Sequence, residues 1–169
     1  RPARSTRLPH PTLVRAADPQ SHPINWEVSP DRRTLYAVAM SGNQLYAYDL
    51  TADGDTLTGR SLGPLSEGAE KTDCRALCVA KDGTVWAGIA VTFSGRGQSL
   101  HLVSYRTGDK SPTDHGPIAI SNPKYATLTN ADGTAKRWHH GVHRIADGPL
   151  LPRYVVMGIC AAGDGTVYL

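Results

Sequence analysis

No apolar stretch in this chain approaches the roughly 18 residues that a membrane-spanning helix requires, so no membrane span is expected. A dominant charge is missing as well: 18 Lys and Arg stand against 15 Asp and Glu, leaving a net charge of +3. The one dense basic spot is Arg1, Arg4 and Arg7, which read as a solvated tail, with a phosphate or membrane-surface contact as the alternative. Without a basic stripe interleaved with aromatics, no nucleic-acid partner is expected. The three cysteines, Cys74, Cys78 and Cys160, are too few and odd in number for a fully paired disulfide framework. On one strand Cys74 and Cys78 would stand about 13 Å apart, beyond disulfide reach, and they read as small buried hydrophobes. There is no G-x-S-x-G elbow, no C-x-x-C and no H-E-x-x-H. The "SGRGQS" segment has G-x-G without a third Gly or a following helix, which disfavours a phosphate cradle. The chain opens on Arg rather than Met and shows no apolar signal core, so a mature chain or a fragment is expected.

What is abundant is turn-forming residues: 17 Gly and 12 Pro in 169 residues favour many short elements over long helices. Residues 1–21, with Pro2, Pro9, Pro11 and Pro19, have no clear period and read as an extended arm. Beyond them no segment of ten residues keeps a helical period with caps, whereas two-residue alternation recurs. Leu45, Ala47 and Asp49, for example, alternate with Tyr46, Tyr48 and Leu50. Asp-Gly and Gly-rich dipeptides separate these runs, marking hairpins whose turns need positive φ. The fold class expected is all-β.

One phrase occurs three times: "VSPDRRTLYA" from Val28, "VAKDGTVWAG" from Val79 and "AAGDGTVYL" from Ala161. Aligned on Asp31, Asp82 and Asp164, the copies superpose Leu35, Val85 and Val167, then Tyr36, Trp86 and Tyr168. Four residues before the Asp they superpose Glu27, Cys78 and Cys160. The anchors lie 51 and then 82 residues apart, which suggests four-stranded units of about 40–50 residues, the last interval carrying an insertion around "NPKYATLTNADG". The units are placed at 22–70, 71–125 and 126–169, the last incomplete.

Val28–Tyr36, Val79–Trp86 and Ile159–Tyr168 resemble the blades of β-propellers of the lactonase-like, NHL-like and gluconolactonase-like kind. The resemblance implies blades of four-stranded antiparallel meanders in a partial propeller. Since about four to eight blades close a ring, its partners would be the remainder of a longer chain or other protein subunits. It implies that the strand before each Asp-Gly turn is innermost. The segments Ser21–Asn25, Lys71–Asp73 and Leu151–Arg153 would be entry loops at a channel mouth. A small-molecule or carbohydrate ligand would bind near Asn25, Asp73 and Arg75, with Glu27 beside them. The gluconolactonase-like members imply a Glu, an Asn and an Asp around a divalent metal, and Glu27 and Asn25 are the near matches.

"RWHHGVHR" concentrates His139, His140 and His143, residues suited to a transition metal if a turn lets them converge. The plainer alternative is a hairpin edge with exposed imidazoles. Two functions follow: a propeller module for ligand binding or protein interaction, or a metal-assisted hydrolase or lyase acting on a lactone or carbohydrate acid. In the second, Glu27 and His140 would be catalytic and His139, His140 and His143 would hold the metal. Two further histidines read as structural: His101 as strand packing, and Asp114-His115 as a turn before Gly116-Pro117.

Overall fold

A computed structural model describes residues 24–52, 57–94, 97–121, 129–134, 138–139, 142–144, 150–152 and 156–169. Among them there is no helix, and the all-β expectation holds. Strands β1 (Ile24–Val28), β2 (Thr34–Ala39), β3 (Gln44–Asp49) and β4 (Gly59–Pro64) form one sheet in chain order. Strands β5 (Lys71–Val79), β6 (Val85–Phe93), β7 (Gly97–Tyr105) and β8 (Thr113–Pro117) form a second. Both are antiparallel meanders, as short connections between sequential strands require. β9 (Trp138–His139), β10 (Val142–Arg144) and β11 (Leu150–Pro152) make a third, smaller sheet, while β12 (Cys160–Ala161) and β13 (Val167–Tyr168) pair separately.

Apolar faces of the first two sheets meet. Tyr36, Val38, Leu45, Ala47 and Leu62 from the first interleave with residues of the second, among them Leu77, Ile89, Val91, Val103 and Tyr105. Leu45, Val38, Ile89 and Val91 are almost wholly buried, each such side chain stabilising the fold by about 1.5–3 kcal/mol relative to exposure. Tyr36 and Tyr105 meet across this interface with ring centroids 6.4 Å apart and planes inclined at 59°, the tilted geometry that aromatic quadrupoles favour. The opposite face of the second sheet is covered too. At Gly88 of β6 a Cβ would lie 3.2 Å from the Val156 side chain and 3.4 Å from that of Leu169, so the missing side chain lets residues 156–169 pack closely there.

The repeated phrase builds one turn. In its second copy Ala80 N–H donates to Thr84 O (2.8 Å), Gly83 N–H donates to Ala80 O (2.9 Å), and the Asp82 carboxylate accepts from Thr84 N–H (3.0 Å). Ala162–Thr166 repeats this set with Asp164. A further copy, unrecognised in the sequence, occupies Asn130–Thr134, where Asp132 accepts from Thr134 N–H at 3.0 Å. The turn anchors therefore stand 51, 50 and 32 residues apart (82 − 31, 132 − 82, 164 − 132), and the expected insertion itself contains a repeat turn. Its disguise is the polar "AKR" that follows, where the other copies continue with a hydrophobic and an aromatic residue. The first copy is one residue longer, closing from Ser29 N–H to Thr34 O, and Arg32 stands at φ 60° where the others have Gly at +82° to +89°.

All three expected entry loops are strand where they are described, Ile24 and Asn25 belonging to β1, while residues 21–23 and Arg153 lie outside the described residues. Lys71, Thr72 and Asp73 open β5, and Leu151-Pro152 lies in β11, because each continues a ladder with its neighbour, Lys71↔Thr92 and Leu151↔His143 among the pairs. Thr113–Pro117 is likewise strand β8 rather than a turn, with Gly116 at φ +84° beside a register shift opposite His101 and Val103.

Candidate functional site

β1 and β12 both lie against β5, bringing the strands that precede three of the repeat turns together. The register within each unit is identical: Glu27 pairs with Tyr36, Cys78 with Trp86, and Cys160 with Tyr168. The equivalence read from the sequence is thus an equivalence of ladder position.

Where these strands converge lies a cleft of about 340 Å³, lined by Asn25, Trp26, Glu27, Arg75, Met157 and Ile159 among others. Three of the residues singled out in the sequence, Asn25, Glu27 and Arg75, share this wall. Asn25 donates its side-chain N–H to Cys74 O, tying β1 to β5 where no ladder joins them. Cys74 N–H donates in turn to Met40 O (2.8 Å), closing the same seam. Arg75 sits between Cys74 and Ala76 at a register shift against β6, so it has no ladder partner of its own. Such bulges re-aim side chains, and here the guanidinium turns back on Asp73, with Nε 3.1 Å from Oδ1 and Nη2 3.1 Å from Oδ2. The hydrogen bonds and charge of Asp73 raise the Arg75 pKa further above its already high ordinary value. Both partners are about one-third exposed, so the pair adds little stability and serves mainly to orient Arg75. Asp73 itself lines a second cleft, of about 390 Å³, with Asn43, Glu70, Lys71, Thr92 and Gln98.

Glu27 is exposed on β1. Its charge reaches Cys78, whose thiol pKa is pushed up by burial first, then by Cys160 and Glu27, while a backbone N–H bond from Ala161 pulls the other way. All three cysteines are free, and Cys74 and Cys78 are buried as expected, whereas Cys160 is exposed. Burial pushes the Cys74 thiol up to about 12, so it is inert as a nucleophile at neutral pH.

Of the histidine cluster, His140 lies outside the described residues. His139 ends β9 opposite Val142, and His143 is central in β10 opposite Trp138, so the two belong to neighbouring strands rather than one. Among the described residues no group of three or more His, Cys, Asp or Glu is placed to hold a metal ion.

One polar constellation is not apparent from the sequence. Asp114 Oδ1 meets His101 Nδ1 at 2.8 Å, His101 Nε2 meets Ser99 Oγ at 2.9 Å, and Ser66 Oγ donates to Asp114 Oδ2 at 2.6 Å. Asn43 completes it, donating to Ser66 O (2.7 Å) and accepting from Ser66 N–H (3.0 Å). Burial raises the Asp114 pKa, but hydrogen bonds from His101, Ser66 and Gly116 N–H outweigh it and hold the carboxyl below its ordinary value. The order Ser–His–Asp resembles a nucleophile, base and orienting acid, yet Ser99 and His101 are each 5% exposed and line neither cleft. The network instead clamps the first sheet's Asn43 and the Ser66 linker to β7 and β8. Its signal in the sequence is the pair Ser99 and His101, polar residues two apart on the inward face of an apolar strand.

Fold and site together define an all-β protein of successive antiparallel meanders with a cleft lined by β1, β5 and the segment before β12. In comparison with known proteins, the chain matches no family model, no curated protein and no solved structure. No helix among the described residues is long and apolar enough to cross a membrane.

Proposed function

We propose that this chain is a β-propeller module that binds a small polyhydroxy acid, or a closely related carbohydrate, in the inner-strand cleft. The observation that carries the reading is the cleft itself, whose wall is drawn from β1, β5 and the segment before β12, three repeats rather than one. Its chemistry suits such a ligand. Trp26, 52% exposed, offers a flat apolar face for a sugar ring. Arg75, steadied by Asp73, presents a planar fork matched to a carboxylate, and Glu27 accepts from hydroxyls. The module works within a larger propeller, completed by the rest of a longer chain or by other subunits. In support, Val28, Tyr168 and Leu169 are 44%, 58% and 49% exposed, apolar surface suited to a further sheet.

Titrating uronic and aldonic acids while following tryptophan emission and the backbone amide resonances of β1 and β5 tests the ligand. Saturable binding is expected, weakened about tenfold by Trp26→Ala and by roughly 10–100-fold by Arg75→Ala. If no acid moves the resonances of Trp26 or Arg75, or if both variants bind as the unaltered protein does, the reading is wrong.

A further inference from the structure

We infer that Cys78 and Cys160 form a redox-active pair, a site at which a low-molecular-weight disulfide joins β5 to β12. The two residues hold equivalent ladder positions, opposite Trp86 and Tyr168, on neighbouring inner strands. β12 packs against β5, so the short strand that carries Cys160 lies beside the strand that carries Cys78. Their exposures differ as the chemistry requires: Cys160 is open to solvent and Cys78 is buried. Cys74, although only four residues from Cys78, is fully buried with its Sγ turned to Ala76 O at 3.7 Å, which leaves it out of the exchange.

The exchange proceeds in two displacements. The Cys160 thiolate attacks one sulfur of the small disulfide, forming a mixed disulfide and expelling a small thiolate, which takes up the proton Cys160 gave. The Cys78 thiolate then attacks Cys160 Sγ, forming the Cys78–Cys160 bond and expelling the second small thiolate, which takes up the Cys78 proton. Two protein thiols are oxidised by two electrons and one small disulfide is reduced to two thiols. Burial and the charge of Glu27 disfavour the Cys78 thiolate, so the second step quickens with rising pH. The bond would anchor Met157–Ile159, the cleft rim immediately before Cys160, to β5. That consequence for a ligand rests on the proposed function, whereas the cross-link does not, so thiol mapping and ligand titration fail separately.

The test is to incubate the full chain with oxidised glutathione, block remaining thiols by alkylation, digest with trypsin and map the peptides by mass. Loss of two of the three thiols is expected, with peptide 76–81 linked to peptide 154–169 and Cys74 alkylated in peptide 72–75. Cys160→Ser should retain both of its thiols, and Cys78→Ser should stop at the mixed disulfide on Cys160. In concentrated guanidinium the preference for Cys160 over Cys74 should vanish, because it comes from the fold. Retention of all three thiols, a link through Cys74, an unresolved mixed disulfide on unaltered protein, or the same linkage pattern in native and denatured chains would each overturn the inference.

Discussion

Arg32 occupies a place that the other repeat turns give to glycine. At φ 60° its Cβ crowds the following carbonyl, a cost of roughly 1–2 kcal/mol that Gly83, Gly133 and Gly165 avoid. The turn survives because Ser29 and Asp31 hold it: Ser29 Oγ donates to Asp31 Oδ1 (2.6 Å) and accepts from Thr34 N–H (2.9 Å). Arg32→Gly should therefore raise stability by about 0.5–1 kcal/mol, the relief of strain being partly offset by the greater freedom of glycine in the unfolded chain. Thermal unfolding of the variant checks this, and an unchanged or lowered midpoint would mean that the strain is not felt. The opposite change, Gly83→Ala, places a Cβ at φ +85° and should cost about 1 kcal/mol or more.

At the scale of elements, the Asn43–Ser66–Asp114–His101–Ser99 network joins segments from both sheets through side chains rather than ladders. Asp114 has a native pKa held below its unfolded value near 4, so its contribution is fully present above about pH 4 and is lost as pH falls through the lower native value. Urea midpoints measured from about pH 6 downward should fall steeply below pH 4 in the unaltered protein, and Asp114→Asn should flatten the decline over that range. If the variant falls just as steeply, other carboxylates carry the acid sensitivity.

This network also marks where the sequence stops being legible. The strands are legible because alternation and Asp-Gly turns are local signals, and the equivalence of Glu27, Cys78 and Cys160 opposite aromatic partners follows from aligning three turns. Asp114 meeting His101 is not, because a bulge at β7 and β8 shifts the register by which cross-strand neighbours are counted. The same holds for Arg75, whose direction is set by a bulge that periodicity does not announce. Asn25, Glu27 and Arg75, each at the start of a repeat, share one cleft wall, whereas Asp73, read alongside them, lines the second cleft. Met157 and Ile159 do not stand out as cleft residues, because they are apolar side chains at the edge of the third copy and carry no polar signal of a site.

For the whole molecule, the second sheet is covered on both faces at its central strands. Its strand β6 has Ile89 and Val91 in the main core, while Gly88 on the other side lies beneath Val156 and Leu169. Local opening of β6 would have to break both interfaces at once, whereas β1 and β8, at sheet edges, have a ladder partner on one side alone. Amide hydrogens of Ala87–Val91 should accordingly exchange with solvent only through global unfolding, and those of β1 and β8 through smaller fluctuations. Exchange followed by mass spectrometry or NMR would show β6 as the last segment to gain deuterium. One absent side chain, at Gly88, thus sets the slowest clock in the molecule.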